Sequence, residues 1–80
     1  MILVDKNGHL ISSNSEKELH EFAKIIKLKK SWYQNGKHPH YDLTTKKKVY
    51  EAIAEGARRV DPKELIKKAW WNKKPLSSSG

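Results

Sequence analysis

Ile2-Leu3-Val4-Asp5-Lys6-Asn7-Gly8 opens the chain, and its reading sets the architecture. Three consecutive apolar residues are too few for a helix, and they are followed at once by turn-forming Asp, Asn and Gly. That is a buried strand and then a turn. Working outward, Leu10-Ile11 reads as a second short strand. Ser15-Glu16-Lys17-Glu18 is a capping box, with Ser15 accepting from the Glu18 N–H and Glu18 reaching back to the Ser15 N–H. It starts a helix with Leu19, Phe22, Ala23 and Ile26 on one face, ending near Leu28. Residues 29–33 read as a helical turn and 34–37 as a turn. Pro39 pushes His38 toward an extended conformation, so 38–43 is a short strand or extended segment.

Thr44 or Thr45 caps a second helix whose apolar stripe is Val49, Ile53 and Ala54. Gly56 follows it as the left-handed residue past its end. Residues 58–60 read as a strand of a βαβ unit. Asp61-Pro62-Lys63-Glu64 starts a third helix, with Asp at the N-cap and Pro at the first turn. That helix buries Leu65, Ile66, Ala69 and Trp70. Strands alternating with helices give an α/β fold: a small single layer of two or three short strands with three helices packed on it. The expected domain spans residues 1–74, with 75–80 as a flexible tail.

The chain has 80 residues and no cysteine, so neither a disulfide framework nor a thiolate metal site holds it together. The apolar run at residues 1–4 stops at Asp5, far short of a signal-peptide core of about 7–15 residues. No run approaches the ~20 apolar residues of a membrane span. The expectation is a cytoplasmic protein that does not enter a membrane. Its formal charge is +8, concentrated in residues 22–50, where eight lysines face Asp42 alone. An excess of that kind points to nucleic acid or another polyanion as partner.

Three constellations carry chemistry. In the extended 38–43 segment, residues two apart share a face, so His38, His40 and Asp42 point one way and Tyr41 and Leu43 the other. Two such histidines can meet at one metal, with Asp5 or His9 as a further ligand. The alternative is a polar loop anchored by Tyr41 and Leu43. Asp5, at the end of the first strand, and Asp42 share a rim if their strands are parallel neighbours, and His40, Asp42 and Asp5 are then the candidate catalytic residues. Thr44, Thr45, Lys46, Lys47 and Lys48 form a helix start unusually rich in cations, and a phosphate at that N-terminus would account for them. Lys29, Lys30 and Lys37 extend the phosphate-binding set. Lys47 and Lys48 also have Glu51 within reach as an ordinary surface partner. Of the adjacent aromatics Trp32-Tyr33 and Trp70-Trp71, Trp71 and one of the first pair are expected at the surface. There a tryptophan serves as a stacking platform or as a contact to a host protein.

Met1-Ile2-Leu3-Val4-Asp5, Glu18-Leu19-His20-Glu21-Phe22-Ala23, Trp32-Tyr33-Gln34, His40-Tyr41-Asp42-Leu43, Gly56-Ala57 and Val60 followed by Lys63-Glu64-Leu65 recur in order. Together they resemble a family of small bacterial and phage proteins catalogued as domain of unknown function 4031, over residues 1 to about 68. The resemblance implies a bacterial or phage setting and no particular activity. One departure is the short stretch of residues 6–9, where the family carries a longer insert with an extra Ser-His pair. The expected function is binding of nucleic acid or another phosphate-bearing polyanion. The alternatives are a small phosphodiester- or nucleotide-processing enzyme built on Asp5, His40 and Asp42, or a modulator docking on a host protein. No cofactor is assigned, and a divalent metal enters only with the enzyme.

Overall fold

The computed structural model describes residues 1–72. The expected tail at 75–80 and the last residues of the expected domain lie outside them. In chain order the elements are β1 (Ile2–Val4), β2 (His9–Ser12), α1 (Glu16–Ile25), β3 (Tyr33–Gln34), β4 (His40–Asp42), α2 (Lys46–Ala54), β5 (Arg58–Arg59) and α3 (Pro62–Lys68). Single 3-10 turns at Lys30–Trp32 and Trp70–Asn72 complete them.

The fold is α/β with three helices, but the sheet has five strands rather than two or three, in the order β3-β4-β2-β1-β5. β1 pairs with β5 in parallel, and the other pairings are antiparallel. The additional strands are two-residue edges. β5 is Arg58-Arg59, exposed at both positions, and β3 ends on exposed Gln34. β5 falls within the strand expected at 58–60, whereas β3 lies where a helical turn and a turn are expected, because so short an edge is made by backbone pairing that side-chain pattern does not announce.

The helices also occupy both faces of the sheet. Ile2, Val4, Leu10 and Tyr41 project to one face and pack with Leu19, Phe22 and Ala23 of α1 and Ala52 of α2. Leu3 and Ile11 project to the other and pack with Val60, with Leu65 of α3 and with Ala69. The reason lies in β1: with all three residues buried, its two faces both need cover. Leu3, Val4, Leu10, Ile11 and Leu19 are fully buried, each worth about 1.5–3 kcal/mol of hydrophobic burial.

The caps stand with one change. Ser15 accepts from the Glu18 N–H at 3.1 Å and Thr45 from the Lys48 N–H at 3.2 Å. Glu18 does not close the box onto the Ser15 N–H, which goes to Ser12 Oγ instead. Its carboxylate takes the Met1 amino group, the Ser12 hydroxyl and Asn14 Nδ2. Burial pushes the Glu18 pKa up, but these donors outweigh it and hold the carboxyl below its ordinary value. Helix α1 stops at Ile25, short of Leu28, with Lys27 in the left-handed region at φ 60°. Asp61 sits at the N-cap of α3 without a capping hydrogen bond from its side chain.

The β1–β2 turn is tied to the end of β4. Gly8 has φ +86°, and its carbonyl accepts the Leu43 N–H at 2.8 Å. A Cβ there would lie 2.6 Å from the Leu43 carbonyl oxygen. The turn is thus pressed against the chain after β4 through a position that only glycine fills without strain.

Candidate metal centre

β2 runs antiparallel to both β1 and β4, so those two strands run the same way with β2 between them. The carboxyl ends of β1 and β4 and the start of β2 therefore meet at one end of the sheet. Asp5 and Asp42 do share that rim, but not as parallel neighbours: His9 stands between them, directly opposite Asp42 in the register. Strand alternation sends Tyr41 into the α1–α2 core and leaves His40 and Asp42 on the α3 face.

Asp5 is 1 % exposed. Its Oδ1 accepts the backbone N–H groups of Asn7 and His9, both at 2.9 Å. Its Oδ2 lies 2.9 Å from His9 Nδ1. An ionised carboxylate only accepts, so Nδ1 carries the proton and Nε2 of a neutral His9 carries the lone pair. His40 is held by the same logic, because its Nδ1 lies 2.7 Å from the His38 carbonyl, which also only accepts. The remaining nitrogen, His40 Nε2, faces Asp42 Oδ1 at 3.1 Å. A lone pair against a carboxylate oxygen at that distance is repulsive. The contact requires a proton between the two groups or a metal ion in its place.

His9, His40 and Asp42 each offer one ligand atom, and the three atoms lie within 4.8 Å of one another. Zn–N and Zn–O bonds of about 2.0–2.2 Å place tetrahedral ligand atoms about 3.4 Å apart, so modest side-chain rotation closes the set. The His9 and His40 rings meet edge to face at 5.1 Å. All three residues are half-buried, which leaves one side open to solvent. Asp5 stands behind the set as the carboxylate that orients a histidine from its other nitrogen, as such carboxylates do in metal sites.

Of the expected catalytic residues, Asp5, His40 and Asp42 thus come together, with Asp5 acting on His9 rather than as a third ligand. His38 does not join them. Its carbonyl holds His40, while its ring lies 5.3 Å from that of Trp71. The N-cap of α2 is Thr45, one of the two threonines expected there. His9, named from sequence only as a supplementary ligand, is central because the register places it opposite Asp42.

The expected phosphate-binding residues are spread over three elements. Lys29 lies 5.9 Å over the Trp32 ring, Lys30 is on the 3-10 turn, and Lys37 is in the β3–β4 turn. Lys48 is engaged internally, donating to the Ile26 carbonyl at 2.9 Å and to Glu51 at 3.0 Å. Thr44 and Lys47 are exposed. Lys46 shares a groove with Lys6 and Arg59, two cations that sequence order separates widely. An adjoining groove adds Thr44, Thr45 and Gly8. Both include Lys6, next to Asp5, and Val49 of α2, so they lie on the α1–α2 face of the sheet rather than on the α3 face.

On the α3 face, a cavity of about 240 Å³ adjoins the centre. Asp5, His9 and His40 form its polar end, and Ile11, Pro62, Leu65, Ile66, His38 and Trp71 form its walls. Trp70 and Trp71 lie beyond the end of α3 and are half-buried rather than one buried and one exposed, as Trp32 and Tyr33 are also half-buried. The indole Nε1 atoms of Trp70 and Trp71 are cut off from solvent with no acceptor among the described residues. Each such orphan costs about 1–3 kcal/mol, which a leucine or phenylalanine there would avoid.

On the opposite face, His20 Nδ1 meets the Tyr41 hydroxyl at 2.7 Å, and the Tyr33 hydroxyl bonds Glu16. Burial, reinforced by Glu16, pushes both tyrosine hydroxyls up, so they stay neutral. Among the described residues no helix is long and apolar enough to cross a membrane.

No curated protein and no solved structure matches the chain. Residues 4–71 match a family described as Protein of unknown function (DUF4031), and the chain belongs to that family.

Proposed function

We propose that the protein is a metal-dependent hydrolase of phosphoesters, with a divalent transition ion held by His9, His40 and Asp42. The observation that carries this reading is the facing of His40 Nε2 and Asp42 Oδ1 at 3.1 Å while Nδ1 of His40 is committed to a carbonyl. A cation relieves that contact and draws in His9, whose own Nδ1 is committed to Asp5. Imidazole nitrogens with one carboxylate suit zinc and its neighbours rather than magnesium or calcium. Three protein ligands leave a coordination position free. When bound, the ion supplies a Lewis acid and a water of lowered pKa.

The chain's own groups complete the site. Asp5 fixes the His9 ring and its tautomer. On the opposite, α2 face at the same end of the sheet, Lys6, Lys46 and Arg59 gather positive charge in a groove suited to further phosphates of a polyanion. The net charge of +8 draws polyanions toward it.

The test is calorimetric titration of chelator-stripped protein with Zn²⁺, Mn²⁺ and Co²⁺, followed by hydrolysis of bis(p-nitrophenyl) phosphate. The expected result is one saturable site per chain, lost in His40→Ala and Asp42→Asn, and metal-dependent release of nitrophenol. Absence of saturable binding would leave an imidazolium–carboxylate pair and end the metal reading. Binding without hydrolysis would end the enzymatic one.

A further inference from the structure

We infer that the cavity beside the metal centre takes a nucleobase, so that the substrate is a nucleotide whose phosphate lies at the metal. This assignment rests on the metal centre proposed for His9, His40 and Asp42 and names the substrate class for it. Three observations meet here. The first is size: about 240 Å³ is below the roughly 300–1,000 Å³ of pockets that enclose drug-sized ligands, so the cavity holds one small ring system and no more. The rest of the ligand must stay at the mouth.

The second is the character of the two ends. The walls are Ile11, Leu65, Ile66 and the paired rings of His38 and Trp71, which suit a flat heteroaromatic group. The polar end is Asp5, His9 and His40, two of the three proposed ligands and the carboxylate behind one of them. A ligand that fills the cavity and reaches the metal is therefore flat and weakly polar at one end and oxygen-rich at the other. A base joined through a sugar to a phosphate has that form. A metal ion at that end favours an anionic phosphate over an uncharged oxygen group.

The third is Trp71 itself. It packs against the Leu3, Ile11, Val60, Leu65 and Ala69 cluster and lines the cavity, yet its N–H is buried without an acceptor among the described residues. Its ring lies against His38, which projects from the β3–β4 turn over the cavity wall. A stacking role explains a large aromatic side chain at a position where a smaller apolar one would pack at less cost. A free mononucleotide and the terminal nucleotide of a strand present the same chemistry to this site.

The experiment uses the full chain loaded with Zn²⁺ and follows tryptophan fluorescence and calorimetry. Adenosine 5′-monophosphate, ribose 5-phosphate, inorganic phosphate and a 5′-phosphorylated single-stranded tetranucleotide are compared. The nucleotide should bind at least about tenfold more tightly than ribose 5-phosphate, the contribution of one stacked base. Trp71→Ala should remove that preference while leaving Zn²⁺ affinity and phosphate binding unchanged. Ile66→Arg, at an exposed position on the wall, should block the cavity with the same result and without disturbing the core. Tighter binding of the tetranucleotide assigns the site to strand ends, and equal binding assigns it to free nucleotides. Equal affinity for nucleotide and ribose 5-phosphate overturns the inference. So does a preference that survives both substitutions. A base preference that persists in protein shown not to bind Zn²⁺ would uphold the cavity assignment and refute the metal centre alone.

Discussion

The Asp5 carboxylate holds His9 twice, accepting its backbone N–H on one oxygen and its ring Nδ1–H on the other, both at 2.9 Å. A single buried side chain thus closes the β1–β2 turn and sets the tautomer of a histidine proposed as a metal ligand. Structure and chemistry are coupled at this residue, and substitutions separate them.

Asp5→Asn keeps the size and one acceptor oxygen but places an amide where a carboxylate oxygen was. It is expected to weaken Zn²⁺ binding by about 10–100-fold, the usual cost of losing the group behind a ligand. Asp5→Ala should in addition destabilise the fold by about 1–3 kcal/mol, because buried donors of Asn7 and His9 lose their acceptor. Urea melts beside metal titrations separate the two effects.

His40→Ala and Asp42→Asn are expected to change the stability of the metal-free protein by no more than about 1 kcal/mol, since a partly exposed pair of this kind is worth little. The wild type should gain about 2.7 kcal/mol at a Zn²⁺ concentration a hundredfold above its Kd. Neither variant should show that gain in a thermal melt. A large loss of stability without metal would assign both residues to the fold rather than to the site.

Gly8→Ala should be among the most damaging single changes, at about 2–4 kcal/mol. It combines a left-handed φ with a Cβ 2.6 Å from the backbone oxygen of Leu43. Because that approach registers His9 against Asp42, metal affinity should fall with stability. Gly36→Ala, where an added Cβ meets nothing within 4 Å, is the control and should be nearly silent.

Glu18 makes stability depend on pH. Its carboxyl is held below the ordinary value of 4.5, so the folded state binds its proton more weakly than the unfolded state. The stabilisation is therefore fully present above about pH 4.5 and is lost as pH falls through the lower folded-state value. Denaturation midpoints between pH 2 and 6 should fall less steeply in Glu18→Gln than in the wild type. Parallel curves would remove Glu18 from the acid response.

Replacing Lys6, Lys46 and Arg59 with Gln tests the phosphate-holding groove. Binding of a single-stranded oligonucleotide should weaken at low salt, and the log–log salt slope should become shallower by about one for each phosphate no longer neutralised. An unchanged slope would place the polyanion elsewhere on the surface.

The local devices were legible in residue order. Ser15 and Thr45 cap their helices as serine and threonine before a helical run should, and Leu19, Phe22, Ala23 and Ile26 form the buried stripe of α1. The membership of the family was also readable, from short motifs in a fixed order. Asp5, His40 and Asp42 could be named because each sits at the end of a strand or beside a proline-extended one.

Everything that required two distant segments to meet was decided by the tertiary structure. Both faces of β1 being buried calls for helices on both sides, but which helix goes to which face depends on how the connections run. Edge strand β3 arises from backbone hydrogen bonds to β4, which carry no side-chain signature, whereas β5 falls within the strand expected at 58–60. His9 is a candidate ligand because β2 inserts between β1 and β4 and the register sets it opposite Asp42; a shift of one residue would turn it to the other face. Sequence determines which side chains have the chemistry to bind a metal or a phosphate. Their convergence depends on strand order and register, set by the burial of apolar side chains far from the groups that the register brings together.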